Sequence, residues 1–543
     1  MSRSGRRVLV VGLDGATFRT LAPWADAGDL PELARLMATG CHGALRSTFP
    51  PLTPPAWASF MTGKNPGKHG VFGFRRLAAD AYRSGDLITA NQLRARTLWD
   101  IAGDAGLTVG AINVPPSYPV RPVNGFMVAC LMAPPGEPNV IYPSELKSVL
   151  GDDYEISIEP PRQLLPNEPD YRAHCLDYLG RLRGLAEQRL AVTLRLMRSR
   201  PWDLLSVVFY EPDRIQHFFW SHLAAAGPTG VPPDVVAEIR GAARGIFRQL
   251  DAALGELVRE AGPDAITFVV SDHGFGPAPK RFVYANRWLA DHGFLYARPS
   301  WRWRRRLVRR LPPTLRKRYD TVENVFVDWG RSHAWCEVME TRSGGVWLNV
   351  RGRQPEGLVE PGPDYERVRE EICRGLAGLR EDGRPVFALV APREEVYRGP
   401  SIELAPDLVL YAAPSHGLMF NGLRPELRAK ATFAPFVEYG FTGAHEPAGI
   451  FVAGGPGIAA HGRREEAPIE ALAPTILALL GVAIPDGMDA APLLDLLTPE
   501  ARATTSVSYV ADSDPTPTDD QGWRSDDDRA QVEARLRALG YVE

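Results

Sequence analysis

Six short apolar runs punctuate the chain: Arg7–Leu13, Thr108–Asn113, Leu204–Tyr210, Ile266–Ser271, Asp407–Tyr411 and Gly449–Ala453. Runs this short, rich in Val, Ile and Leu, suit strands covered on both faces, and so a parallel sheet. Between them lie longer stretches with apolar residues at helical spacing: Leu30–Ala38, Thr97–Ala105, Tyr171–Arg198 and Val235–Ala261. Alternating strand and helix predicts an α/β fold. The expected architecture is a doubly wound, mostly parallel central sheet with helices on both faces and inserted cap segments. In such sheets ligands bind beyond the carboxyl ends of the strands. Asp14, Asp213 and Asp272 each follow an apolar run at that end.

Two stretches break the rhythm. Trp301–Arg318 holds nine basic residues and no acidic one. It reads first as a solvated insertion. A surface contact with anionic lipid through Trp301 and Trp303 is a second reading, and a lid for an anionic substrate a third. Pro312 and Pro313 interrupt any long helix there. The tail after about Thr504 contains Ala511–Asp528, rich in Asp, Pro, Ser and Thr, which reads as a flexible linker. It leads into RAQVEARLRALGYVE, an amphipathic helix expected to dock on the domain. The expected division is a discontinuous catalytic domain over 1–296 and 326–498, a basic insertion over 297–325, and an acidic linker with a short helix over 499–543.

Composition narrows this little. The chain has 543 residues, 45% hydrophobic and 23% charged, as in ordinary soluble enzymes. The net charge of −3 argues against specific nucleic-acid binding. The start, MSRSGRRVLVVGLDG, has a signal-like basic end, but Asp14 interrupts the apolar run, so a core strand is expected. No uninterrupted apolar stretch suits a membrane span. Cys41, Cys130, Cys175, Cys336 and Cys373 are odd in number and scattered, which favours reduced thiols and a cytoplasmic location.

The candidate chemistry lies where the apolar runs end. Asp272 and His273 stand together in SDHG, beside a glycine that admits close backbone approach. Asp213 and His217, four apart in EPDRIQH, share one face of a helical turn. With His445 of GAHEP they can complete one metal site, and Asp14, Asp272 and His273 can complete a second. Carboxylate and imidazole suit zinc-like ions, and two such ions clamp a transferring phosphoryl group. Between them in the chain is PPLTPPAWASFMTGKNPGKHG. Its prolines fix the backbone around Thr53 and are expected to prevent a regular helix or strand there. The pattern alone leaves Thr48 and Thr62 open beside Thr53 as the hydroxyl that matters.

The ordered set of LDG, TPPAWASFMTGKNPGKHG, YEPDRIQH, SDHGF, GAHEPAGIFVAGGPGI and APTILALLG resembles the alkaline phosphatase superfamily. It is most similar to the type I phosphodiesterase/nucleotide pyrophosphatase branch and its bacterial phosphohydrolase and phosphomutase group. The resemblance spans roughly residues 7 to 495. It implies Thr53 as the nucleophile and one metal site of Asp14, Asp272, His273 and the Thr53 oxygen. It implies a second site of Asp213, His217 and His445. The implied cofactors are two divalent ions, zinc or else manganese. The implied activity is hydrolysis of a small phosphate monoester or diester through a phosphothreonine intermediate. A phosphomutase on the same metals is the alternative within enzymes, and a metal-stabilised binding protein the alternative outside them. Two departures matter. Nucleotide-hydrolysing members place an asparagine where HGVFGF places Phe74, which argues against nucleotides. The C/S-x-P-x-R motif of sulfatases is missing, which argues against sulfate esters. Substrate choice is expected to lie in residues 75–95, 131–170 and 297–345.

Overall fold

Val8, Leu9, Val10 and Val11 are almost fully buried, as a strand covered on both faces requires. They form β1 (Arg7–Leu13) in the interior of a ten-stranded sheet. The same sheet holds β2 (Cys41–Arg46), β3 (Val109–Ile112), β4 (Gly125–Val128), β5 (Ile141–Tyr142), β6 (Leu204–Phe209) and β7 (Ala265–Val270). β8 (Gly274–Pro277) and β9 (Gly443–Glu446) pair in a separate ribbon, and β10 (Ala448–Gly454) returns to the large sheet. These eight run in the order β2-β10-β7-β1-β6-β3-β4-β5, and the short strands Gly462–Arg463 and Ala467–Pro468 pair with the outer side of β2. The computed structural model describes residues 6–76, 82, 85–151, 154–159, 165–224, 227–298, 327–418, 426–427, 429–435, 440–515, 522–539 and 541. The basic run Trp301–Arg318 lies outside the described residues.

β7, β1, β6, β3 and β4 are mutually parallel. Their carboxyl ends therefore share one edge, and Asp14, Asp213 and Asp272 all lie beyond it. Two expected strands are not parallel. β10 runs antiparallel to both β7 and β2. The Asp407–Tyr411 run forms Leu408–Ala412 in a different sheet altogether. Apolarity reports burial on both faces and carries no information on strand direction, which explains both differences.

Seven helices matter below: α1 (Pro31–Thr39), α2 (Thr53–Thr62), α3 (Leu98–Asp104), α4 (Tyr171–Ser199), α5 (Glu211–Leu223), α6 (Pro233–Ala261) and α7 (Asp526–Ala538). Leu182 and Leu185 of α4 and Ile246 and Leu250 of α6 share one buried cluster with Leu9 and Val11 of β1 and Val207 of β6. Thr53 opens a helix, against the expectation that its prolines would prevent one. Pro54 and Pro55 occupy the first turn, where the missing N–H would have no intrahelical partner anyway.

The chain divides into two compact units. One comprises residues 1–74, 87–278 and 438–540, and the other 75–86, 279–437 and 541–543. The first contains the large sheet and every candidate site residue. The second is built on a four-stranded antiparallel sheet of Ala334–Val338, Ser343–Leu348, Leu408–Ala412 and Phe387–Pro392. Within it Tyr82 stacks on Trp329 at 3.8 Å and donates to Asn349 Oδ1. Among the described residues no helix is long and apolar enough to cross a membrane. All five cysteines are free thiols.

Candidate active site

Each candidate ligand is delivered by a distinct local device. Asp14 follows β1 directly. Gly12, two residues earlier, has no Cβ, and one placed there would lie 2.5 Å from the Trp57 ring. That space admits Trp57 of α2, whose Nε1 donates to Asp14 Oδ2 at 3.0 Å. Gly15 turns the chain at φ +67° and donates its N–H to Asp272 Oδ1 at 3.1 Å. Ser271 braces the same corner, donating to the Ala16 carbonyl and accepting from the Ile450 N–H.

Asp213 and His217 stand one turn apart on α5, which starts immediately after β6. Tyr210 is its N-cap and Pro212 lies in its first turn. Gln216 Nε2, donating to the Gly15 carbonyl at 2.7 Å, ties α5 to the Asp14 turn. His445 arrives on β9, opposite Phe275 of β8. The Phe275 ring lies edge-on to His217 and His445, at 4.8 and 5.0 Å.

All seven expected residues meet in one buried cluster. His217 Nε2 and His445 Nε2 lie 2.9 Å apart, and 3.4 and 3.3 Å from Asp213 Oδ1. His273 Nε2 lies 3.3 Å from Asp272 Oδ2, 3.7 Å from Asp14 Oδ1 and 3.4 Å from Thr53 Oγ1. The His273 and His445 rings stack at 3.7 Å, which joins the two groups. One refinement concerns Asp213. Its carboxylate comes within 4.8 Å of ligand atoms of Asp14 and His273 as well as of His217 and His445, so it faces both groups. His69, in the same motif as Thr53, is not in the cluster. Its Nδ1 accepts from the Val71 N–H and its Nε2 meets Ser59 Oγ at 3.0 Å. Burial and then Lys64 pull it down to about 3, so it is a neutral structural ring.

The donor set fits bound cations. His445 Nδ1 faces the Pro51 carbonyl at 3.0 Å and His273 Nδ1 the Gly274 carbonyl at 3.2 Å. A carbonyl only accepts, so both Nδ1 atoms carry the proton and both Nε2 lone pairs point into the cluster. Asp14 Oδ1 and Asp272 Oδ2 are buried and accept no hydrogen bond. Burial and then Asp213 push Asp14 up to about 8. Burial and then Asp14 push Asp272 well above the usual carboxylate range. Burial would raise Asp213 too, but the His217 and His445 rings hold it well below that range. Burial and then His445 pull His273 well below an ordinary imidazole. Three crowded carboxylates beside inward imidazole lone pairs are what divalent cations relieve.

The sequence pattern did not single out Trp57, Gln216, Ser271 or Phe275. All four stand within four residues of a candidate ligand or nucleophile, Gln216 beside His217 and Ser271 beside Asp272, so proximity in the chain was the available signal. Their bonding partners lie far away in the chain: Trp57 reaches Asp14, Gln216 the Gly15 carbonyl and Ser271 the Ala16 carbonyl.

The family described as Type I phosphodiesterase / nucleotide pyrophosphatase matches residues 8–445. No curated protein sequence matches the chain. Among solved structures, the phosphonoacetate hydrolase from Sinorhizobium meliloti 1021 in complex with phosphonoformate superposes with a TM-score of 0.52 at 18% identity. The match covers 82% of this chain and 89% of that one. The same hydrolase in complex with phosphonoacetate gives a TM-score of 0.51 at 18% identity over the same shares. Murine ectonucleotide pyrophosphatase / phosphodiesterase 5 gives 0.48 at 14% identity, over 91% of this chain and 100% of that one. The motifs, the parallel edge that carries them and the family match over most of the chain agree: this chain belongs to the type I phosphodiesterase/nucleotide pyrophosphatase family of the alkaline phosphatase superfamily and is a phosphoric ester hydrolase.

Proposed function

We propose that the chain hydrolyses small phosphate monoesters or diesters through a phosphothreonine intermediate on Thr53. The observation that carries this reading is the placement of Thr53. Its hydroxyl lies at the start of a wholly buried helix, 3.4 Å from His273 Nε2, beside six carboxylate and imidazole donors. Asp213, His217 and His445 would hold one divalent ion. Asp14, Asp272, His273 and the Thr53 oxygen would hold a second. Zinc suits this mixture of O and N donors, with manganese the alternative. Such ions supply acidification of the Thr53 hydroxyl and neutralisation of charge on the transferring group.

The protein's own part follows from its rigidity. Burial of all ten residues of α2 holds the Thr53 oxygen in one place. The Pro51 and Gly274 carbonyls keep two imidazoles turned inward. Thr53 Oγ1 attacks phosphorus and the bond to the leaving oxygen breaks. Water then attacks the phosphothreonine and the bond from phosphorus to Thr53 Oγ1 breaks, releasing phosphate or a monoester. Phe74, almost fully buried after the His-Gly pair, brings no donor to the phosphoryl group and favours substrates other than nucleotides.

The test is Thr53→Ala assayed on aryl phosphate monoesters and diesters alongside metal content. The expected result is two ions retained and turnover lower by on the order of 10⁴-fold or more, as when other nucleophiles are removed. An active variant would show that water or another hydroxyl attacks. Transfer to an isomeric position without phosphate release would assign the phosphomutase reaction instead.

A further inference from the structure

The tail after about Thr504 holds the stretch Ala511–Asp528 read as a flexible linker, and the described residues on either side of 516–521 are fastened at several points on the first unit. Tyr509–Val510 adds a short strand beside Ile484–Pro485. Asp512 and Asp514 both pair with Lys64, a buried lysine two residues past the end of α2. Gly522 turns at φ +70°, where a Cβ would lie 2.8 Å from Pro119. Trp523 packs on Tyr118, and Arg524 pairs with Glu137, which also accepts from the Tyr118 hydroxyl. Helix α7 then buries Val532, Leu536 and, just past its end, Leu539.

Arg535 is the unusual residue of α7. It is 4% exposed, and among the described residues no carboxylate pairs with it. Its Nη2 donates instead to the carbonyls of Leu131 and Ala133, at 2.5 and 2.6 Å. A buried guanidinium without a counter-ion is a costly way to dock a helix, and an apolar side chain of that length would do so more cheaply. What the arginine adds is position. Leu131 and Ala133 lie just beyond the carboxyl end of β4, on the edge that carries the site.

From there the bonds run into the ligand helix. The Leu131 N–H donates to the Tyr210 hydroxyl at 3.2 Å, and that hydroxyl donates to the Asn113 carbonyl. Tyr210 caps α5, three residues before Asp213. Arg189 holds the same turn from the other side, donating to Glu211 Oε1 at 2.6 Å and to Asn113 Oδ1 at 3.2 Å. Burial and then the Arg214 guanidinium pull Arg535 down to about 10.

We propose that the C-terminal tail is a positioning element of the active site, and that Arg535 fixes the Asp213–His217 turn through Leu131 and Tyr210. Arg535 touches neither substrate nor ligands; it acts through those two residues. This rests on the reading of Asp213 and His217 as metal ligands.

The test uses the full-length chain with Arg535→Met and Arg535→Lys. Zinc affinity is measured by calorimetry, kcat and KM on an aryl phosphate ester, and Tm with and without zinc. Arg535→Met is expected to bind one of two ions about tenfold more weakly, the scale on which residues behind metal ligands act. Its kcat should fall about tenfold with KM unchanged, and Arg535→Lys, still able to reach a carbonyl, should recover part of both. If Arg535→Met does not fold, Trp523→Leu, which loosens the same strap, is expected to show the same affinity and kcat losses. A lower Tm with zinc affinities and kcat unchanged would make the tail merely structural and overturn the proposal alone. A wild-type chain that holds less than one ion would overturn the metal reading, and this proposal with it.

Discussion

Asp272 and Asp407 are both fully buried carboxylates at the ends of apolar strands, one in each unit of the chain. Their surroundings are opposite. Asp407 receives Arg353 through both terminal nitrogens at 2.8 and 2.6 Å, the Tyr365 hydroxyl at 2.8 Å and the Leu348 N–H at 2.7 Å. Its charge is matched and its lone pairs are used. Asp272 receives one N–H, from Gly15, leaves Oδ2 without a hydrogen bond and faces the like charge of Asp14. Residue type and burial are the same in the two cases, although Asp272 follows its strand and Asp407 precedes its own. The partner set separates a carboxylate that holds the fold together from one that, on the proposed reading, would hold a cation.

Neutralising each residue in turn puts this contrast to its hardest test. Asp272→Asn is expected to lower bound metal from two ions to one and turnover by about 10³-fold, the upper end for removing one electrostatic contact at a transferring group. Its chelator-stripped Tm should not fall. Asp407→Asn should do the reverse. Leaving Arg353 without its partner should cost about 3 kcal/mol in denaturant unfolding, with metal content unchanged. If the two variants behave alike, the distinction drawn from partners is wrong.

Metal removal probes the same contrast through pH. Asp14 has a folded pKa of about 8, against an ordinary value of 3.8. A carboxyl raised in the folded state contributes stability in full below the ordinary value, and that contribution is lost as pH rises through the folded value. Chelator-stripped protein should therefore lose Tm between about pH 4 and 8, and the gap to metal-loaded protein should widen over that window. A gap independent of pH would mean that the carboxylates are relieved without cations.

Trp57→Phe tests the one side-chain donor on Asp14 among the described residues. About tenfold weaker metal binding is expected, read by competition with a chelator, because the remaining ring no longer orients the carboxylate. Unchanged affinity would reduce Trp57 to a packing residue. The smallest effect concerns substrate. Phe74→Asn should raise nucleotide turnover relative to an aryl phosphate by about tenfold, less than the full worth of a well-placed donor. Efficient nucleotide hydrolysis by the unmodified chain would show that another group already supplies that contact.

Much of this site was legible in the sequence because its ligands are tied to local pattern. β1, β6 and β7 read as buried strands from composition alone, and the residues just beyond their carboxyl ends had to share an edge once the strands were parallel. The four-residue spacing of Asp213 and His217 is enough to put both on one helical turn. Other features had no local signature. The pairing of Leu408–Ala412 into a separate antiparallel sheet, the sharing of Asp213 between two ligand groups and the hold of Asp512 on Lys64 join residues far apart in the chain. Helix formation at Thr53 ran against the simple reading of its prolines because their place in the first turn, not their number, decides their effect. Side-chain identity and short-range periodicity are local properties, so the linear order of residues already carries the chemistry of this chain. Which buried charges are compensated, as at Asp407, and which are left uncompensated, as at Asp272, is settled by folding alone. Compensation depends on partners that only the folded chain brings close.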